Sequence, residues 1–390
     1  MDFATRMSRL GTETAFEVLA RAQALERKGR DVVHLEIGEP DFDTPKHIRD
    51  AAVQALNDGW THYGPSAGLA EMREAVAQAV SRSRGIPVSA EEVVVTPGGK
   101  PILFFTLLAL LDEGDEAIYP NPGFPIYESV IRFAGAKPVP LRLREESNWA
   151  FDPDELDRLI TPRTKVLVLN SPHNPTGGVL SSAALDRVAA AARKHSFSIL
   201  SDEIYSRLVY DGEARSIASY PGLKDRTIIL DGFSKTYAMT GWRLGYGVME
   251  TPLAKHVARL MTNCNSCTAT FVQRAGIAAL QGSQAPVEAM VEEFRVRRDR
   301  LVAGLNELPG VSCRMPGGAF YAFPNITGTG MTSQQMADGL LDEAGVAVLS
   351  GTAFGSFGEG YLRLSCANSL AKLETALERM HEFLTVRVRA

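Results

Sequence analysis

The stretch "KVLVLNSPHNPTGGVLSSAALDRVAAAARKHSFSILSDEIY", Lys165 to Tyr205, decides the fold. Two short apolar runs, "KVLVLN" and "FSILSD", flank "SAALDRVAAAARKH", a segment with helical character. Strand, helix and strand in succession are the unit from which parallel sheets are built. Working outward, similar runs recur as "EVVVT" and "EAIYP" upstream and as "TIILDG" and "LGYGVM" downstream. The region from Glu91 to about Gly247 therefore reads as a mainly parallel α/β sheet, with helices between most of its strands.

Beyond this region the pattern changes. "VEAMVEEFRVRRDRLVAGLNEL" predicts a long helix, followed by strands around "GGAFYAF" and "YLRLSCA" and a final helix, which together make a smaller α+β domain. Near the start, "TETAFEVLARAQALERKGRD" carries Thr14 and Glu17 at the spacing of a capping box, ahead of an N-terminal helix. "DVVHLEIGEPDF" then runs a short strand into a turn, and a helix-rich stretch begins near Thr44. The expected organisation is an N-terminal segment (1–45) joining the small domain, a large domain (46–290) and a small C-terminal domain (291–390).

Composition narrows the function. The 390 residues are 45% hydrophobic and 22% charged, and 46 acidic against 41 basic residues give a net charge of −5. Such a chain is not drawn in bulk to nucleic acid or to anionic membranes, and small polar substrates suit it better. Neither a secretory apolar core nor an apolar run of about 18 residues is visible, so a cytoplasmic location is expected. Four cysteines form no disulfide framework, "CNSC" (Cys264, Cys267) lacks a second such pair, and the histidines form no HExxH-like cluster, so no catalytic metal is expected.

The chemistry collects where strands end, which is where open α/β sheets bind ligands. "NSPHNPTGG" follows "KVLVL", "SDEIY" follows "FSIL", "DGFSK" follows "TIIL", and "TPGGKP" follows "EVVV" and opens an apolar helix. Gly98 and Gly99 before Pro101 suit a helix start whose free N–H groups hold an anion, although the sequence is neither a Walker A loop nor a GxGxxG. Lys235, directly after a buried strand, is placed to be partly desolvated and nucleophilic. Ser234 and Arg243 add donors for the anion, and Asp202 is a buried carboxylate. Amine, phosphate site and carboxylate are together what pyridoxal 5'-phosphate requires: an amine for the aldehyde, an anchor for the phosphate and a partner for the pyridine nitrogen.

These residues resemble the aspartate-aminotransferase-like, fold type I enzymes of aminotransferase class I/II. The resemblance runs in order through "IGEPDF", "HYGPSAG", "TPGGK", "NSPHNPTGG", "SDEIY", "FSKTYAMTGWRLGY", "GGAFY" and "YLRLS", nearly the whole chain. It implies a seven-stranded-type, mainly parallel sheet with helices on both faces. By the same resemblance Lys235 binds the cofactor aldehyde, Asp202 partners the pyridine nitrogen, and Tyr205 and Asn174 reach the phenolic oxygen. Backbone at Gly99 and Lys100, with Ser234 and Arg243, holds the phosphate, and Phe124 stacks on the ring. Tyr63 reaches the phosphate of a neighbouring subunit, which implies a homodimer with shared sites. Arg363 clamps the substrate α-carboxylate, helped by Asn174 and the backbone near Gly38. His173 is taken as neighbouring structure.

The implied reaction is transfer of an amino group from an L-amino acid to 2-oxoglutarate or pyruvate, with Lys235 as proton carrier. Two other readings compete: a different reaction with the same cofactor, such as β-elimination, ring-forming synthase chemistry or oxidation, and a cofactor-sensing regulatory domain, for which no DNA-binding module is visible. For the donor, Lys100 either meets a distal carboxylate, as the resemblance implies, or is solvated or paired within the fold, and "PGFPIY" and "GTAFGSF" supply aromatics for an apolar pocket, so aspartate, alanine, aromatic and methionine-like amino acids all stay open.

Overall fold

The computed structural model describes residues 2–212 and 214–388. The apolar runs of the central region fold as strands buried along nearly their whole length, as a sheet covered on both faces requires. In chain order the strands are β1 (Val33–His34), β2 (Val93–Thr96), β3 (Glu116–Asn121), β4 (Lys137–Arg144), β5 (Ala150–Phe151), β6 (Thr164–Asn170), β7 (Ser198–Asp202), β8 (Thr227–Gly232), β9 (Gly245–Val248), β10 (Tyr321–Ala322), β11 (Val346–Ala347), β12 (Leu349–Ser350) and β13 (Leu362–Ser365).

The large sheet has the order β2-β9-β8-β7-β6-β3-β4-β5. Neighbours from β8 through β4 are parallel, whereas β9 runs antiparallel to both β8 and β2. Six of these strands fall on the apolar runs of the sequence, and with β4 they reach the seven that the resemblance implies. The eighth, β5, is a two-residue antiparallel extension of β4 formed where the chain doubles back through Glu145–Ser147. Strand β4 escaped the sequence reading because "KPVPLRLR" has no apolar run; its burial alternates, as one exposed face near a sheet edge allows.

Two smaller β units complete the molecule. Strands β10, β13 and β12 form an antiparallel sheet, and β1 pairs in parallel with β11, Val33 facing Val346. Val33 and Leu35 share an apolar core with Phe294 and Leu301 of the helix Ala285–Asn306 and with Leu377 of the helix Leu370–Val388. The N-terminal chain is thus packed into the C-terminal elements.

One local expectation fails. The helix Ala15–Glu26 starts where foreseen, but Thr14 has helical angles (φ −69°, ψ −15°) and its side chain makes no capping bond. An N-cap threonine reaches the first-turn N–H groups from an extended backbone, and Thr14 does not adopt one. A capping box does form at Thr332 and Gln335, ahead of the helix Ser333–Gly339.

The reversal of β9 matters most for the site. The chain leaves β8 at Gly232, turns through Lys235 and Arg243, and re-enters the sheet at Gly245, opposite Gly232. Lys235 and Arg243 therefore sit at the same sheet edge, the carboxyl edge of the parallel strands. At Gly245 a Cβ would lie 2.5 Å from the Gly98 carbonyl carbon and the Gly99 nitrogen, so the glycine permits the β2 loop to touch β9. Gly245→Ala is expected to destabilise the protein by about 1–3 kcal/mol; an unchanged denaturation midpoint for the cofactor-free protein would contradict this contact.

Candidate active site

A cavity of ≈ 570 Å³ opens at the carboxyl edge of the large sheet, walled on the other side by Tyr321 and Arg363 of the small sheet. Gly38, Gly99, Lys100, Phe124, Asn174, Asp202, Tyr205, Ser234, Lys235, Arg243 and Arg363 all line it. Of the residues that the resemblance assigns to cofactor or substrate, Tyr63 alone does not line it and is 89% exposed.

Asp202 ends β7 and is buried. Burial pushes its pKa up to about 6, against the pull of a Tyr127 hydroxyl donated to Oδ2 (2.6 Å) and the Ile204 N–H donated to Oδ1 (3.2 Å). The phenol keeps the carboxylate in place. Lys235, three residues past β8, donates Nζ to the Gly38 carbonyl and stands 5.8 Å from the Phe320 ring centroid. Burial lowers its pKa to about 8, so the neutral, nucleophilic amine is populated near neutrality.

Arg243 adopts φ +54° and donates Nη1 to the Thr240 carbonyl (2.8 Å). Its guanidinium lies against Gly98, where φ is +92° and an added Cβ would overlap Arg243. Gly99 caps the helix Lys100–Leu110, with Pro101 in the first turn, and buried Ser234 lines the same wall. Helix N–H groups, a hydroxyl and a guanidinium thus line one cavity and could together hold an anion.

Arg363 is 4% exposed and, among the described residues, pairs with no carboxylate. It donates to the Glu36 carbonyl and to Asn174 Oδ1 (3.3 Å), and it faces the rings of Tyr321 (4.6 Å) and Phe354 (5.0 Å). Its Nε has no partner, and burial lowers the guanidinium's proton affinity. A buried cation in this state calls for an anion from outside the chain.

Several residues that shape the site had no role in the sequence reading. Tyr127 holds Asp202, and Tyr321 shares a 2.7 Å hydrogen bond with Tyr205 while covering Arg363. Both lie in quoted motifs, "PGFPIY" and "GGAFY", but only tertiary contact reveals what their hydroxyls meet. Glu13 and Phe354 also line the cavity. His173 is buried beside it, with Nδ1 2.8 Å from Thr176 Oγ1. Away from the site, Cys264 is exposed and Cys267 half-buried, both as free thiols, and among the described residues no cluster of three or more His, Cys, Asp or Glu side chains could hold a metal ion.

The donor set fits pyridoxal 5'-phosphate: an amine of lowered proton affinity, a buried carboxylate fixed by a phenol, and an anion cradle whose backbone leaves no room for a Cβ at Gly98. The family model for aminotransferase class I and II matches residues 30–380. The chain belongs to this family. An aspartate aminotransferase of Pyrococcus horikoshii is 43% identical over 373 residues, 94% of this chain and 93% of that protein. The aromatic-amino-acid aminotransferase 2 of Thermococcus litoralis is 41% identical over 357 residues, 90% and 92% of the two chains. A solved structure of the aspartate aminotransferase from Thermus thermophilus with maleate superposes with a TM-score of 0.95 at 40% identity, covering 98% of this chain and all of that one. This aminotransferase is accordingly a pyridoxal-phosphate-dependent transferase of amino groups.

Two measurements check the electrostatics of the aminotransferase site. Capture of the cofactor by the cofactor-free protein should accelerate as pH rises through about 8, where an unperturbed lysine would place the midpoint near about 10.4; a stopped-flow profile with the higher midpoint would refute the desolvated amine. Tyr127→Phe removes a bond that favours ionised Asp202, so the acid limb of cofactor retention should move to higher pH, by about half to one pH unit; equilibrium dialysis across pH reads that limb.

Proposed function

We propose that the residues of this cavity divide the work as follows. Lys235 Nζ binds the cofactor aldehyde, Asp202 holds the proton on the pyridine nitrogen, and Tyr205 and Asn174 hydrogen-bond its phenolic oxygen. The Gly99 and Lys100 backbone, Ser234 and Arg243 hold the phosphate, and Phe124 covers the ring. When bound, pyridoxal 5'-phosphate supplies an aldehyde that links to amines and a protonated ring that withdraws electrons from the Cα–H bond.

Arg363 receives the α-carboxylate of the amino acid as a two-pronged donor, with Asn174 and the Gly38 backbone beside it. Holding that carboxylate presents the Cα–H bond to Lys235 and withholds the Cα–carboxylate bond from cleavage. Lys235 Nζ, as a free amine, would take up the Cα proton and carry it. Its lowered pKa suits both halves of that task, since the amine must be neutral to accept the proton and acidic enough to return it. The observation that carries this reading is Arg363: fully enclosed, unpaired with any described carboxylate, and in the same cavity as Lys235 and Asp202.

The acceptor is 2-oxoglutarate or pyruvate, and the donor is drawn from acidic and aromatic amino acids. Names of relatives at about 40% identity support both donor classes, one called an aspartate and another an aromatic-amino-acid aminotransferase. A homodimer is supported by Tyr63, which is of no use to its own cavity yet 89% exposed, and which would reach the phosphate bound by the partner. Segment 1–45, the body 46–290 and segment 291–390 act as joining segment, cofactor domain and small domain; the pairing of β1 with β11 supports that division. Four free cysteines suit the reducing cytoplasm.

The test is a visible absorbance spectrum of the holoenzyme followed during addition of single amino acids. Conversion to the aminated cofactor by particular donors supports the reading and names them, whereas release of ammonia would favour a lyase. Lys235→Ala should lower turnover by at least about 10³-fold. Arg363→Ala should raise KM for every donor while the cofactor stays bound; release of the cofactor in that variant would refute the clamp.

A further inference from the structure

Lys100 does not point freely into the cavity. Its Nζ is ion-paired with Glu13, and both residues line the cavity wall. The acid is the more enclosed partner, its side chain 18% exposed against 49% for the lysine. Glu13 also acts on the other polar groups of the site, raising the proton affinity of Lys235, Arg363 and Tyr321, so its carboxylate lies among the charges that receive a substrate.

The segment that carries Glu13 is lightly held. Residues 11–13 belong to no helix or strand, Thr14 makes no capping bond, and Gly11 is fixed by its N–H to Ser129 Oγ (2.9 Å). Moving Glu13 would break no regular element. On the other side, Lys100 Nζ stands 5.6 Å from the centroid of Phe124, and Phe16 and Phe354 line the same space. Charge and apolar surface are both offered to a substrate side chain.

We propose that Glu13 is a specificity-determining residue: a resident carboxylate that occupies Lys100 and is exchanged for the distal carboxylate of an acidic substrate, but stays on Lys100 when the side chain is uncharged. Exchange of one carboxylate for another keeps the number of ion pairs constant, and a half-exposed pair contributes little net stability, so the swap is easy in both directions. With an aromatic or aliphatic substrate, Glu13 spares Lys100 from facing apolar surface as an unpaired cation. One pocket thereby accepts two classes of side chain, with a small preference between them. The inference rests on the amino-transfer reading above.

The experiment uses holoenzyme of the wild type, Glu13→Gln, Lys100→Met and the double variant. Single-turnover amination of the cofactor by aspartate and by phenylalanine gives kcat/KM for each without an acceptor that itself carries two carboxylates. Binding of succinate and of butyrate, neither of which can react, is measured alongside. Glu13→Gln should raise the aspartate-to-phenylalanine ratio, and the preference for succinate over butyrate, by about tenfold, because Lys100 is freed for the incoming carboxylate. In the Lys100→Met background the same substitution should change both by less than about twofold, since no cation remains to be freed. A ratio that stays within twofold of wild type in Glu13→Gln, or an effect that persists without Lys100, overturns the proposal. A wild-type holoenzyme that reacts with no donor overturns the amino-transfer reading instead, and the succinate and butyrate binding then judges Glu13 alone.

Discussion

The antiparallel pairing of β8 with β9 is the constraint on which the site depends. Parallel strands deliver their ends to one edge, but consecutive parallel strands are separated by a crossover that carries the chain away. By reversing at once, the chain delivers both the end of β8 and the start of β9 to the same edge, within one connection. Lys235 and Arg243 are neighbours in the cavity for that reason. The reversal also presses Gly245 against Gly98 and Gly99, which sets the β2 loop and the helix start it feeds beside Arg243. A side chain at Gly245 or Gly98 would disturb both the sheet and the anion cradle.

Around this frame the protein gathers charge that it leaves partly unsatisfied. Lys235, Arg243 and Arg363 line one cavity, and Arg363 finds only carbonyl and amide oxygens. Desolvation moves Asp202 up and Lys235 down, each toward its neutral form. Buried groups held like this oppose stability when no ligand is present, and they are the groups that a phosphate, a ring nitrogen and a carboxylate would relieve. The opposite arrangement occurs next door, where Arg84 pairs with Glu203 (2.7 Å) and Asp231 (2.8 Å). Glu203 follows Asp202 in the chain but points into that closed network. Adjacent acids at one strand end thus serve different ends, one available to ligand and one tied down.

How much of this was legible in the sequence depended on how local the cause was. Residues at or just past a strand end, such as Asn174, Asp202 and Lys235, could be placed because an apolar run fixes where a strand stops and the parallel sheet fixes which edge that is. Strand β4 could not, because half of it faces solvent and its sequence carries prolines and basic residues instead of an apolar run. The Thr14 cap failed because spacing alone suggests the motif, whereas Thr14 adopts helical angles from which its side chain makes no capping bond. Tyr127 and Tyr321 were visible as letters within motifs, yet their partners Asp202 and Tyr205 are 75 and 116 positions away.

The sequence by itself determined the α/β class, the strand ends that carry polar groups, the need for a phosphate-bearing aldehyde cofactor and, through the ordered motifs, the family. These follow from periodicity and from residue types at short spacing, which a linear chain displays directly. Only the tertiary structure decided that β9 runs backwards, that Arg363 meets no carboxylate, and that Glu13 holds Lys100. Each of these joins residues far apart in the chain, and whether a charge is paired or stranded depends on the atoms that surround it in space.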